Sequence, residues 1–195
     1  LRRLFRGCAH VVAGLALQRG KGQRLRRQCI ESMVLPAPTK IQAAQHRLNL
    51  SLYEEQMPNK LQRLQDSVQS LVYRLQSLEI SVDRCAEDSK EFPEPFSHIG
   101  RRLGNMLRGV FERWASLDVS NEGELVSREL EDLSGDLKQQ FDALDTSPGQ
   151  VTFSHQLLMK LYAVLGSVRG LVEAMTETRN AMGEINWQQF AAARF

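Results

Sequence analysis

The sharpest chemical signature in this chain is an acidic loop that begins at Asp118 and ends at Glu129. Oxygen-bearing side chains of Asp118, Ser120 and Glu122 hold its first, third and fifth positions, a glycine holds the sixth, and Glu129 holds the twelfth. A calcium-binding loop wraps its ion in oxygen ligands at this spacing. Val126 at the ninth position supplies no side-chain oxygen, and an ordinary capped interhelical loop fits the same residues. We therefore expect a connecting loop. A calcium-responsive helical protein is kept as the third-ranked interpretation of function.

The other reactive side chains show no catalytic or metal-binding spacing. Zinc spacing and the Glu-x-x-His pairs of di-metal bundles are both missing around the four scattered histidines, which are His10, His46, His98 and His155. The sequence contains no glycine-rich phosphate loop and no nucleophile elbow. We predict that the chain is not an enzyme and that it has no catalytic, cofactor-binding or metal-binding residues and no cofactor.

Composition indicates an ordinary folded chain. Its 195 residues are 42% apolar and 25% charged, which suffices for one domain with a full core. No stretch approaches the roughly 18 to 20 consecutive apolar residues of a membrane-spanning helix. Cys8, Cys29 and Cys85 form no CxxC pair, and Cys8 and Cys85 fall on apolar faces, so a reducing compartment is expected.

Two long stretches have apolar residues at alternating spacings of three and four. This rhythm averages about 3.5 residues and places its members on one narrow seam of a helix. The first seam consists of Leu61, Leu64, Val68, Leu71, Leu75, Leu78, Val82 and Cys85. The second consists of Leu158, Leu161, Leu165, Val168, Val172, Met175 and Met182, with Arg179 in one slot. Such seams bury helices against one another.

These patterns predict an all-α antiparallel helical bundle with long amphipathic helices and coiled-coil-like seams. The expected helices cover about residues 1–18, 23–34, 58–90, 94–117 and 152–183, and further ones begin at a Thr39 cap and pass through Leu130 to Leu144. No segment alternates with the period of a strand. Gly166 and Gly170, four residues apart in the last helix, predict a close approach by another helix.

Positive charge is concentrated at the beginning of the chain. The first 27 residues carry eight basic residues, and all 23 acidic residues lie at or beyond Glu31. Such an end can contact nucleic acid or anionic lipid, or can flank a membrane span on its cytoplasmic side. We divide the chain into a basic, membrane-proximal segment, 1–35, and a helical bundle domain, 36–195.

The end of the chain resembles a known family. The stretch Leu161–Leu171, which reads LYAVLGSVRGL, is followed by Ile185-Asn186-Trp187 and by Ala193-Arg194-Phe195. These residues resemble the cytoplasmic helical domain of FUSC-type inner-membrane proteins, the fusaric-acid-resistance and aromatic-acid-exporter group. The helix that opens at Pro58 is also similar. The resemblance covers about 35 residues specifically, and elsewhere it is shared only as amphipathic helix.

The resemblance implies a role in efflux. The chain would be a cytoplasmic accessory domain on the bacterial inner membrane, acting in subunit assembly or in regulation of transport. Its partners would be its own membrane domain and further copies of the chain, with anionic lipid contacted through the basic N-terminus and no specific nucleic acid. The start at Leu1 without a Met fits an excised piece of a longer protein. The second-ranked interpretation is a stand-alone cytosolic adaptor or scaffold without a membrane link.

Overall fold

A computed structural model describes residues 1–15, 21–47, 56–88, 94–116 and 155–187, together with a few positions between 128 and 139. The long elements in these ranges are helices, and no strand occurs among them. In chain order they are α1 (Arg2–Leu15), α2 (Lys21–Cys29), a π-helical segment (Ile30–Val34), α3 (Ala37–Gln45), α4 (Met57–Asp88), α5 (Glu94–Ser116) and α6 (His155–Gly183). The predicted all-α bundle is confirmed.

The two helices with apolar seams, α4 and α6, pack against each other. Every seam residue of α4 with a described side chain is buried except Val82, which is half-buried. Leu161, Leu165, Val168, Met175 and Met182 are buried on α6. The period of about 3.5 residues therefore located the buried stripe on both helices. Coiled-coil packing along these stripes stays a prediction.

Contacts between polar side chains show the relative direction of α4 and α6. The hydroxyl of Thr178 donates to the carbonyl of Ser67 over 3.2 Å, and the hydroxyls of Ser81 and Ser167 lie 2.9 Å apart. An exposed ion pair joins the other end, with Arg63 Nη1 3.2 Å from Glu184 Oε2. These contacts occur in opposite order along the two helices, so this pair of helices is antiparallel.

The helices α2, α1 and α5 form a layer with α1 in its middle, and α1 and α2 contact α4. On one flank of α1, Gly7 meets the π-helical segment and the Gly14 carbonyl accepts a hydrogen bond from α2. On the other flank, the ring of Phe5 packs edge-on against Trp114 of α5, with the centroids 5.3 Å apart. Residues of α1, α4, α5 and α6 share one core cluster. Residues 1–35 therefore pack into the same core as the later helices.

The π-helical segment at Ile30–Val34 is a feature that the sequence pattern does not predict. The Leu35 amide donates to the Ile30 carbonyl, five residues back, over 2.8 Å. Pro36 follows directly and has no amide hydrogen with which to continue the helix. The next helix then begins at Ala37, with Pro36 as its N-cap residue, so the predicted cap at Thr39 is wrong. Proline is tolerated there because first-turn amides lack intrahelical partners.

Of the two glycines noted in α6, only Gly170 lies under a neighbouring helix. A Cβ atom on Gly170 would lie 3.0 Å from Arg74 Nη1 of α4, whereas one on Gly166 would meet no described atom within 4 Å. The close approach expected at Gly166 is therefore wrong. Gly166 is exposed, so glycine at this position lowers helix stability relative to alanine without allowing a close contact.

Gly7→Ala should destabilise the fold. Its new Cβ would lie 2.8 Å from Met33 Cβ, an atom fixed to the backbone, so α1 and the π-helical segment would have to separate. We expect a net loss of about 1–2 kcal/mol, or several degrees in the thermal midpoint. Gly166→Ala is the matched control and should raise the midpoint, because alanine is favoured over glycine in helices by up to about 1 kcal/mol. Equal shifts in the two variants would contradict the close approach at Gly7.

Candidate functional site

The buried charged residues of the described chain lie where α2 meets α4. Nη2 of Arg26 donates to Oδ1 of Asp83 over 2.5 Å, and Nη1 of the same guanidinium donates to the Gly14 carbonyl of α1 over 2.7 Å. Gln23 donates to Oδ2 of Asp83 over 2.8 Å. Only 6% of the Arg26 side chain and 10% of the Asp83 side chain are exposed. One guanidinium therefore ties three helices together.

Glu79 lies beside this ion pair, one helical turn before Asp83, and is only 6% exposed. Burial raises its pKa above the usual value near 4.5, and the charge of Asp83 raises it further, while Arg26 and Arg27 lower it. A hydrogen bond to Asp83 acts in the same direction as burial, because a carboxyl group must keep its proton to donate to another carboxylate.

Two buried polar atoms of this cluster, Arg26 Nε and Glu79 Oε1, have no hydrogen-bond partner among the described residues. The cluster is bounded on its solvent side by Arg27, whose Nη2 lies 3.7 Å from Asp83 Oδ2. Arg27 also lines an open cleft of about 410 Å³ on the outer side of α2, together with Gln23, Arg24, Gln28 and Glu31. This arrangement can hold charge and exchange a proton, and it contains no nucleophile poised for covalent chemistry.

A second polar feature is the outer surface of the layer formed by α2, α1 and α5. Its exposed arginines are Arg2, Arg3, Arg6, Arg24, Arg27, Arg101, Arg102, Arg108 and Arg113. We call these residues the basic face. Within α1, α2 and α5, the exposed acid with a described side chain is Glu112, which pairs with Arg108 over 2.7 Å. Arg102 pairs with Asp136 over 2.9 Å. Among the described residues of these three helices, exposed arginines outnumber exposed acids.

The loop, histidines and cysteines noted in the sequence differ in where the structure places them. The whole calcium-like loop, from Asp118 to Glu129, lies outside the described residues apart from Arg128. His10 and His46 are exposed, whereas the side chains of His98 and His155 are not described. Cys8 is fully buried in the core, as expected, and burial strongly raises the pKa of its thiol. In the described part of the chain, no group of histidine, cysteine or acidic residues could hold a metal ion.

Sequence reasoning missed Arg26, Glu79 and Asp83. The signal that could have indicated them is weak: Glu79 and Asp83 are four residues apart beside the apolar seam, and Arg26 is four residues before the apolar Ile30. Charged residues at such boundary positions are usually exposed. Only the packing of α2 on α4 identifies them as a buried group.

Comparison of the chain with models of protein families, with curated proteins and with solved structures finds no match. The resemblance to FUSC-type proteins is therefore supported only by the residues quoted for it. Within the helices described here, none is long and apolar enough to cross a membrane.

Asp83→Ala should strongly destabilise the bundle, because it leaves the Arg26 guanidinium buried without its counter-charge. Breaking a buried ion pair in this way typically costs about 3–5 kcal/mol, to be measured by urea unfolding. Asp66→Ala is the control, since Asp66 is exposed and should contribute within about 0.5 kcal/mol. Replacing both partners, as Arg26→Met with Asp83→Leu, should recover much of the loss. A double variant no more stable than Asp83→Ala would contradict this account.

Glu79→Gln should change how stability depends on pH. Because the folded pKa of Glu79 is raised, the folded state binds the proton more tightly than the unfolded state does, and stability falls as pH rises from about 4.5 through the folded pKa. Glutamine stays uncharged, so the thermal midpoint of the variant should gain on that of the wild type as pH increases from 4 to 8. A constant difference between their midpoints across that range would show that Glu79 does not titrate in this window.

Proposed function

We propose that the chain is a helical accessory domain of a FUSC-like inner-membrane efflux protein, without catalytic activity of its own. It would lie on the cytoplasmic face of the membrane and act in subunit assembly or in regulation of transport. The substrate pathway would belong to the membrane part of the same protein. The compounds exported would be aromatic carboxylic acids or similar toxic molecules, as the resemblance implies.

The observation that supports this proposal best is the position of Arg2, Arg3 and Arg6. These arginines are exposed on one stripe of α1, while the rest of that helix packs into the bundle. A cluster of positive residues next to a membrane span favours the cytoplasmic side, since the distribution of lysine and arginine sets orientation. A folded domain whose first helix carries this charge outward suits a position immediately after a membrane helix.

A role in assembly is supported by how the apolar surface is distributed. The seams of α4 and α6 are largely buried inside one copy of the chain, so copies would have to associate through other, more polar surfaces. Contacts of that kind are weaker than a hydrophobic core and can be rearranged during a transport cycle. We therefore favour regulatory or assembly contacts over a permanent fused bundle.

The full-length gene provides the test. Its upstream reading frame should encode several hydrophobic helices of roughly 20 residues each, and a fluorescent protein fused after Phe195 should fluoresce, because it would fold in the cytoplasm. Cells that produce the protein without residues 1–195 should accumulate more of an exported aromatic acid than cells with the full protein. Full export by that truncated protein would remove the role in transport. An initiator Met directly before Leu1 would favour the stand-alone adaptor instead.

A further inference from the structure

We propose that the basic face formed by α2, α1 and α5 docks on the headgroups of an anionic phospholipid bilayer. This surface extends well beyond the N-terminal arginines, because the fold adds arginines from α5, about 100 residues later in the sequence. The proposal takes its membrane context from the proposed function, and its binding test is independent of transport.

The layer holds these arginines in one surface because α1 is packed on both flanks. Gly7 and Gly14 are covered by the π-helical segment and α2, and Phe5 is covered by Trp114 of α5. The only exposed stripe left on α1 is the one that carries Arg2, Arg3, Arg6 and His10. The arginines of α2 and α5 therefore lie on either side of a central basic stripe.

The opposite side of the bundle shows that this charge is not general. On α4, α6 and the residue after it, the fully exposed charges are Arg63, Arg74, Arg84 and Arg169 against Asp66, Glu173, Glu177 and Glu184, and the half-buried Lys60, Lys160 and Arg179 add positive charge. The chain as a whole carries a formal charge of only +2. A segregated positive surface on a nearly neutral protein orients that protein toward an anionic plane.

The side chains near the arginines favour lipid over single-stranded nucleic acid. Leu25, which follows Arg24 along α2, is 59% exposed, and Leu35, after the π-helical segment, is 41% exposed. Aliphatic side chains beside arginines can enter the boundary between headgroups and acyl chains. Single-stranded nucleic acid instead requires exposed aromatic rings on which bases stack. The exposed tyrosines of the described chain, Tyr73 and Tyr162, belong to α4 and α6.

The experiment is co-sedimentation of the 195-residue chain with vesicles of phosphatidylcholine alone or mixed with phosphatidylglycerol. Binding should require phosphatidylglycerol and should weaken as salt is added, because screening shortens the range of the attraction. The variants R2Q/R3Q/R6Q and R102Q/R108Q should each weaken binding, the triple variant by about tenfold or more. All of these positions are exposed, so circular dichroism and thermal unfolding should show an intact fold.

The matched control is K40Q/R47Q/R169Q. It removes three exposed positive charges, one on α3, one just after α3 and one on α6. It should bind anionic vesicles as the wild type does. An equal loss in this control would mean that net charge, and not the basic face, drives binding. Equal binding to neutral vesicles, or binding to RNA or DNA without binding to anionic vesicles, would overturn the proposal. A failure of vesicle binding would still leave the membrane attachment of the full-length protein to be decided by its own test.

Discussion

The burial of α1 on both flanks is the constraint on which the arrangement of this molecule depends. Phe5, Cys8, Val11 and Val12 are fully buried, and Gly7 of the same helix allows the π-helical segment to come close. A helix enclosed in this way has only one stripe left for its polar residues. The arginines of α1 must therefore lie on the outside of the layer, where they add to those of its neighbours.

The ion pair between Arg26 and Asp83 has a different role from the apolar core. Removing two charges from water costs more than an apolar pair of the same volume would, so this contact is poor evidence for stability. Its geometry is specific, however: one guanidinium reaches the Gly14 carbonyl of α1 and Asp83 of α4 at the same time. An apolar replacement could slide along α4, whereas these hydrogen bonds define one position. We interpret the pair as a device that sets the register of α2 on α4.

The burial of Glu79 beside the ion pair between Arg26 and Asp83 is unfavourable for folding. It brings a second carboxyl group beside Asp83, and one of its oxygens has no hydrogen-bond partner among the residues described. Burial keeps its proton more firmly bound than in water, which removes most of the repulsion between the two carboxyl groups while the proton remains. The junction between α2 and α4 is thus the part of the core most sensitive to solution conditions.

Periodicity predicted the parts of this fold that depend on local sequence. The rule of about 3.5 residues placed the buried stripe of α4 almost residue by residue, and the boundaries of α4 and α5 were predicted within two residues, because both follow from spacing and from prolines. It did not predict the π-helical segment, which packs against Gly7, more than 20 residues earlier in the chain. The burial of Arg26 and Glu79 was missed for the same reason, since both residues look like surface residues until α2 meets α4. Gly166 and Gly170 look equivalent in sequence, and only the path of the Arg74 side chain distinguishes them.

The distribution of apolar and polar side chains over the surface limits how this molecule can bind a partner. A second copy cannot pair along the α4 seam, because those side chains are largely buried within the first copy. On the outer stripe of α4, Tyr73 and Ile80 are exposed, but Gln69, Gln76 and Arg84 share that stripe and interrupt any continuous apolar surface. Stable apolar interfaces need a contiguous, desolvated centre. External contacts through this stripe of α4 would therefore rely mainly on polar groups, and the layer of α2, α1 and α5 is where positive charge is concentrated among the described helices.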